Sequence, residues 1–183
     1  MDQQILHRSL RQPDQFAELF ARHFADLHRY AARRLGDAAA DDIAAETFLA
    51  AFRQRDRYAA DRGPVRGWLF GIAANLIGRH RRAEVRALRT WARAGTDPLT
   101  ECHSEQVADR VSAGALGPRL AGVLARLSPG DREVLLLVAW GELSYDEVAA
   151  ALGIPAGTVA SRLNRARRKV RAALPAKHAL DEE

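Results

Sequence analysis

Apolar residues recur at intervals of three and four along the first part of the chain: Leu10, Phe16, Leu19, Phe20, Phe24, Leu27 and Leu35. That spacing gathers side chains on one face of a helix with 3.6 residues per turn, so the pattern predicts an amphipathic helix that carries all seven and stops at Gly36. From Ala38 to about Arg53, Ile43, Phe48, Leu49 and Phe52 mark a second helix, with Asp41, Asp42 and Glu46 toward its N-terminal end, where the helix dipole favours acids. Asp61, Gly63 and Pro64 interrupt the pattern. Pro64 suits the first turn of a third helix because its missing N–H has no helical partner there in any case. Trp68, Leu69, Ile72, Leu76 and Ile77 supply the buried stripe of that helix, which is free to continue into the arginines beyond it. Between about Ala94 and Pro118, Gly95, Pro98, Ser104, Gly114, Gly117 and Pro118 break any sustained period and predict a linker. Leu120, Val123, Leu124 and Leu127 resume helical spacing, and Ser128-Pro129 opens a further helix carrying Val134, Leu135 and Val138 that Gly141 closes. No stretch alternates apolar and polar as a strand does, so the expected class is all-α: two small helical modules joined by a linker.

Residues 144–171 have the pattern of a helix-turn-helix. Ser144 and Glu147 form a capping-box pair at a helix start. Ala149 is small enough for two helices to approach, and Gly153 can take the left-handed conformation after the first of them. Leu152, Ile154, Val159 and Leu163 would close a compact core. The second helix then exposes short donors near its start, Thr158 and Ser161, and long cations further along, Arg162, Arg165 and Arg168. Those are the side chains that read base edges in a major groove and hold flanking phosphates.

Charge sharpens the picture. Lys and Arg number 28 against 23 Asp and Glu, a net +5, which favours a polyanionic partner. The distribution is more telling. Arg162, Arg165, Arg167, Arg168, Lys169 and Arg171 crowd together with no acid, and Arg79 to Arg93 form a second basic stretch opposed only by Glu84. Acids gather instead at Asp37, Asp41, Asp42 and Glu46. Two basic stretches and one acidic helix imply two nucleic-acid contacts and a separate contact of another kind. Tyr58, Trp68 and Phe70 lie among Arg53, Arg55, Arg57, Arg62 and Arg66, an aromatic and cationic mixture suited to stacking and tracking a single strand, although Trp68 and Phe70 serve equally well as core.

The remaining chemistry is sparse. His7, His23, His28, His80, His103 and His178 are scattered, without a nucleophile motif, a phosphate-cradling glycine loop or metal-ligand spacing, so neither an enzyme, a metal nor a cofactor is expected. Cys102 is the only cysteine and is read as an inert thiol. No apolar run approaches the roughly 18 to 20 residues that cross a bilayer, and the N-terminus lacks the features of a signal peptide, which together predict a cytoplasmic protein with no membrane insertion.

Three separated motifs carry a family resemblance: Asp42-Ile43-Ala44-Ala45-Glu46-Thr47-Phe48, Trp68-Leu69-Phe70-Gly71-Ile72-Ala73-Ala74-Asn75-Leu76-Ile77, and Asp131-Arg132-Glu133-Val134-Leu135 followed by Gly157-Thr158-Val159-Ala160-Ser161-Arg162-Leu163. They resemble regions two and four of the extracytoplasmic-function sigma factors of bacterial RNA polymerase, in the right order. The resemblance implies region two over 10–93, a linker over 94–117 and region four over 118–175. It implies that Asp42, Glu46 and Phe48 dock on the beta-prime clamp helices of core RNA polymerase, with a further contact to the beta flap. It implies that Tyr58, Trp68, Asn75 and Arg79 open and read the minus-ten element, and that Thr158, Ser161, Arg162, Arg165 and Arg168 read the minus-thirty-five element as duplex. Promoter DNA and an anti-sigma factor are the other implied partners. Ala160, where relatives are often basic, and Gly67, where some carry a bulkier residue, depart from the pattern. The competing reading is a stand-alone helix-turn-helix regulator, which leaves the acidic helix without a task.

Overall fold

The computed structural model describes residues 1–79, 86, 89–90 and 120–173, and within them every regular element is helical. The first helix, α1 (Asp2–Ser9), buries Ile5 and Leu6. A short 3-10 turn, Pro13–Phe16, separates it from α2 (Ala17–Leu35). The apolar series from Leu10 to Leu35 is therefore not one helix. Pro13 lacks an N–H and its ring clashes with the carbonyl four residues back, so the helix restarts beyond it. Leu10 is left exposed. At the other end Gly36, with φ 88°, stops α2 as expected.

Helix α3 (Asp37–Arg53) follows at once. Only Asp37 stands in its first turn, so Asp41 and Asp42 lie beyond the reach of the N-terminal dipole, contrary to expectation. Asp41 instead meets His28 Nε2 at 3.1 Å. Leu49 and Phe20, placed by periodicity on buried faces, are 47% and 43% exposed. Helix α4 (Val65–Arg79) begins directly after Pro64 and buries Leu69, Phe70, Ala73 and Ile77. Of the predicted continuation of α4 only 86 and 89–90 are described, and they are helical; the 94–117 linker and Cys102 lie outside the described residues.

The second group comprises α5 (120–126), α6 (Pro129–Ala139), α7 (Tyr145–Leu152) and α8 (Ala156–Ala173). Local chemistry sets each boundary. Ser128 caps α6, its Oγ accepting from Asp131 N at 3.3 Å, with Pro129 in the first turn. The capping box at α7 is complete: Ser144 Oγ accepts from Glu147 N, and Glu147 Oε2 accepts from Ser144 N at 2.8 Å. Gly153 takes φ 61°, ψ 38°, the left-handed geometry that turns the chain into α8. In α6 the residues that go inside are Val134, Leu136 and Leu137, while Leu135 and Val138 are only partly covered.

Two apolar clusters hold the molecule together. One, built on Ile5, Leu6, Phe16, Leu19, Leu27, Phe48 and Leu69, belongs to α1–α4. The other runs across both groups: Tyr30, Ile43, Phe70, Leu76 and Ile77 pack with Leu124, Val134, Leu137, Val148 and Leu163. The two helical groups thus lie against one another, and Phe70, fully buried beside the Tyr30 ring at 5.2 Å, is core.

Candidate nucleic-acid interface

Helix α8 presents the cationic side chains. Ser161, Arg165 and Arg168 are exposed, Thr158 and Arg162 half-buried, and Val159, Leu163 and Ala166 pin the opposite face to the core. Ser161 Oγ donates to Thr158 O at 3.0 Å. Arg165 Nη2 donates to the buried Asp131 Oδ1 at 2.9 Å, and this contact holds the Asp131 carboxyl below its ordinary range and the Arg165 guanidinium above its own. Arg162 lies over the start of α6, so close that a Cβ on Gly130 would stand 2.8 Å from its Nη1. Two of the five residues assigned to duplex reading are thus oriented by the first turn of α6. In the sequence Asp131 stood in a motif without a role and Gly130 was not singled out, because both lie about thirty residues upstream of the arginines they meet.

In the first group Tyr58 and Trp68 stand with ring centroids 5.2 Å apart. Tyr58 donates to Gly63 O at 2.6 Å and accepts from Gln3 Nε2 at 3.3 Å, while burial pushes its phenol pKa up. Trp68 is half-buried and Asn75 exposed, and both line a cleft of about 820 Å³ whose other wall is the end of α7 and its turn. Arg79 is exposed at the end of α4, 3.7 Å from Glu46. Not every cation in the aromatic mixture faces outward. The Arg55 guanidinium lies 3.8 Å from the centre of the Phe52 ring and donates to Phe52 O. Arg66 donates to Gly141 O at 2.9 Å and to Glu142 O at 3.1 Å, so it serves a protein contact.

The acidic face is separate. Asp42 and Glu46 are exposed on α3, whereas Phe48 is only 5% exposed and packs under Phe20 and Phe24, with centroids at 4.9 and 6.4 Å. Leu49 of the same helix and Phe20, whose ring packs on Phe48, reach solvent although periodicity had hidden them. Among the described residues no His, Cys, Asp and Glu are grouped to hold a metal ion, and no helix is long and apolar enough to cross a membrane.

Comparison with known proteins agrees in both halves. Residues 19–93 match the model of "Sigma-70 region 2" and residues 119–170 that of "Sigma-70, region 4". The ECF RNA polymerase sigma factor SigL of Mycobacterium tuberculosis is 35% identical over 157 residues, covering 85% of this chain and 86% of that one. The RNA polymerase sigma factor CnrH of Cupriavidus metallidurans is 35% identical over 175 residues, covering 88% and 87%. CnrH solved in complex with the cytosolic domain of CnrY superposes with a TM-score of 0.63 at 29% identity, over 93% of this chain and 95% of that one. RpoE of Bartonella quintana, solved with the anti-sigma factor NepR, shares the fold at 21% identity and a TM-score of 0.58. With both regions matched in order and relatives aligned along nearly their whole length, the chain belongs to the extracytoplasmic-function sigma factors of the sigma-70 family, the non-enzymatic subunits that direct RNA polymerase to promoters.

Proposed function

We propose the following division of labour within this sigma factor. Region two spans 10–93 and region four 118–175, with a linker over 94–117. Asp42 and Glu46 dock on the beta-prime clamp helices, with Phe48 acting from beneath by packing under the exposed Phe20. Region four meets the beta flap. Tyr58, Trp68, Asn75 and Arg79 open and read the minus-ten element. Thr158, Ser161, Arg162, Arg165 and Arg168 read the minus-thirty-five duplex. The protein works in the cytoplasm, and a protein of the anti-sigma kind binds it, as NepR binds RpoE.

The observation that carries this reading is α8, an acid-free helix whose outward face combines short donors with arginines, two of them positioned by α6. Fixing a long side chain in advance lowers the ordering cost of about 0.5–1.5 kcal/mol that each such group incurs on binding. The acidic face on α3 has no use in DNA binding and fits a basic protein surface.

In vitro transcription from a genomic DNA library, using bacterial core RNA polymerase with and without the purified protein, tests the assignment. New starts that share two spaced upstream elements are expected. Alanine variants of the two reader sets should each lose preference for one element. Tight duplex binding by the protein alone, with no protein-dependent starts, would move the assignment to a stand-alone regulator.

A further inference from the structure

The loop between α3 and α4 has little that fixes its shape from within. Residues 54–63 make two single-turn 3-10 segments, Arg55–Arg57 and Ala60–Arg62, and the first of them buries no residue. Two of the backbone bonds that close these turns, Tyr58 N to Arg55 O and Gly63 N to Ala60 O, are 3.4 Å long. A segment of this kind keeps one conformation only if side chains tie it to something rigid, because ordering a backbone costs conformational entropy at every residue.

The ties run to α1, which lies outside the residues 19–93 that match region 2. Tyr58 donates its hydroxyl proton to Gly63 O at 2.6 Å, closing the loop on itself, and accepts from Gln3 Nε2 at 3.3 Å. At the start of the loop Arg55 Nε donates to Ser9 O at 3.3 Å, while its Nη1 donates to Phe52 O. Gln3 stands in the first turn of α1 and Ser9 at its end, about 9 Å apart at 1.5 Å of rise per residue. The loop is thus held at two separated points on one rod. That rod is itself seated. Asp2 accepts from Arg22 Nη1 at 3.1 Å and meets His23 Nε2 at 2.7 Å, and Ile5 and Leu6 are buried in the cluster against which Tyr58 and Trp68 also pack.

We infer that α1 is a positioning element for minus-ten recognition: Gln3 and the backbone at Ser9, acting through Tyr58 and Arg55, hold the loop 54–63 in the shape that receives an unpaired base. The inference rests on the assignment of Tyr58 and Trp68 to the minus-ten element proposed above. With its hydroxyl already donating to Gly63 and accepting from Gln3, Tyr58 has its ring to offer a base, and the Trp68 ring stands 5.2 Å from it. Stacking on such rings tolerates any base. Selectivity therefore depends on how steadily the loop holds the edge of the captured base, since the hydrogen bonds that read an edge weaken steeply when distance or angle is lost. A loop fixed in advance also avoids the ordering cost on binding. Gln3 and Arg55 are positioning residues in this scheme, and releasing them should cost discrimination at one element only.

The test uses the full chain assembled with core RNA polymerase. The DNA is the strongest promoter recovered by library transcription, with copies changed at one base of the minus-ten or the minus-thirty-five element. Gln3→Ala, Gln3→Lys, Arg55→Met and Tyr58→Ala are compared with the parent. Gln3 is exposed, so its replacement should leave the melting curve unchanged, and lysine keeps a donor of similar reach for the Tyr58 hydroxyl. Gln3→Ala and Arg55→Met are expected to lower discrimination between matched and changed minus-ten elements about two- to tenfold, as for one lost hydrogen bond. Discrimination at minus thirty-five, affinity for core and the salt dependence of promoter binding should stay at parental values, and Gln3→Lys should restore the parental minus-ten preference. If Arg55→Met melts early, the Gln3 variants alone decide. Losses that are uniform across sequences and lower the salt slope would make these side chains phosphate contacts and overturn the inference. Loss by Gln3→Ala that Gln3→Lys does not recover, or that Tyr58→Ala does not share, overturns it too. Loss by Tyr58→Ala with parental discrimination in Gln3→Ala and Arg55→Met removes the positioning role and leaves the reader assignment standing. Parental discrimination in Tyr58→Ala as well removes the reader assignment and the inference with it.

Discussion

Arg165 meets Asp131 at 2.9 Å, and that contact constrains how it can approach DNA. A guanidinium carries five donors in a rigid fork, so one bond to a carboxylate leaves the others directed outward with the plane already set. Arg165→Ala is therefore expected to lower promoter use roughly 5- to 150-fold on a matched upstream element and far less on a scrambled one, as for a base contact. Equal losses on both would assign it to phosphate instead. Asp131 has its own signature. Its folded pKa is depressed, first by the hydrogen bond from Arg165, so its contribution to stability is complete above the ordinary aspartate range near 3.9 and is lost as pH falls through the lowered folded value. Urea melts at pH 7, 5 and 3 should show Asp131→Asn less stable than the parent at the first two values, with the gap narrowing at the third. A gap independent of pH would place the effect in packing and not in charge. Arg165 was legible in the sequence because helical spacing exposes it. Asp131 was not, because its partner lies 34 positions away and no local rule links them.

At the level of the element, what could be read was what is set by neighbours in sequence. The capping box at Ser144 and Glu147 and the left-handed Gly153 both depend on a few consecutive residues, and both stand in the structure as the sequence implied. Ser144→Ala should cost about 1 kcal/mol in thermal or chemical melts, the usual loss for an N-cap, with α7 the first helix to fray. Gly153→Ala should cost roughly 1–2 kcal/mol, because an alanine Cβ is penalised in that conformation even though nothing lies within 4 Å of it. Periodicity failed where it had to choose between faces. It made Leu10 part of α2 although Pro13 intervenes, and it hid Phe20 and Leu49, which stand exposed. A broad apolar stripe shows which face is greasy but not which edge of it another helix covers. That exposed edge gives α3 a second test. Asp42→Ala and Glu46→Ala should weaken core polymerase binding in a titration while leaving the melting curve unchanged, since both side chains are exposed. Normal holoenzyme assembly by both variants would remove α3 from the docking surface.

For the whole molecule, the sequence showed two groups of helices and gave scarcely a sign that they share a core. Helical spacing describes each helix against its own surroundings, whereas Tyr30 and Glu133 are brought together only by tertiary packing, 103 positions apart. Gly67 and Gly71 were the one trace of it, glycines in the interior of a strongly apolar helix where a Cβ would stand 2.7 and 2.5 Å from the α7 backbone. The shared core bears on how a promoter opens. Unstacking about twelve base pairs costs roughly 17 kcal/mol at about 1.4 kcal/mol per step. One or two bases captured on Tyr58 and Trp68, as proposed, would return roughly 1–3 kcal/mol each, which leaves most of the cost unmet. The free protein is further disadvantaged, because the surface that would capture those bases faces α7 across a cleft. Capture of a flipped base can still select the site, since it is read on an edge that duplex DNA hides, provided the larger enzyme supplies the rest of the energy. Single-strand-selective chemical probing of a supercoiled promoter should therefore show reactive bases around the minus-ten element only when core polymerase and this protein are both present. Tyr58→Ala and Trp68→Ala should reduce that reactivity without reducing binding of the minus-thirty-five duplex. Reactive bases with the protein alone would mean that it melts DNA unaided, and the energetic division between the sigma factor and the polymerase would have to be redrawn.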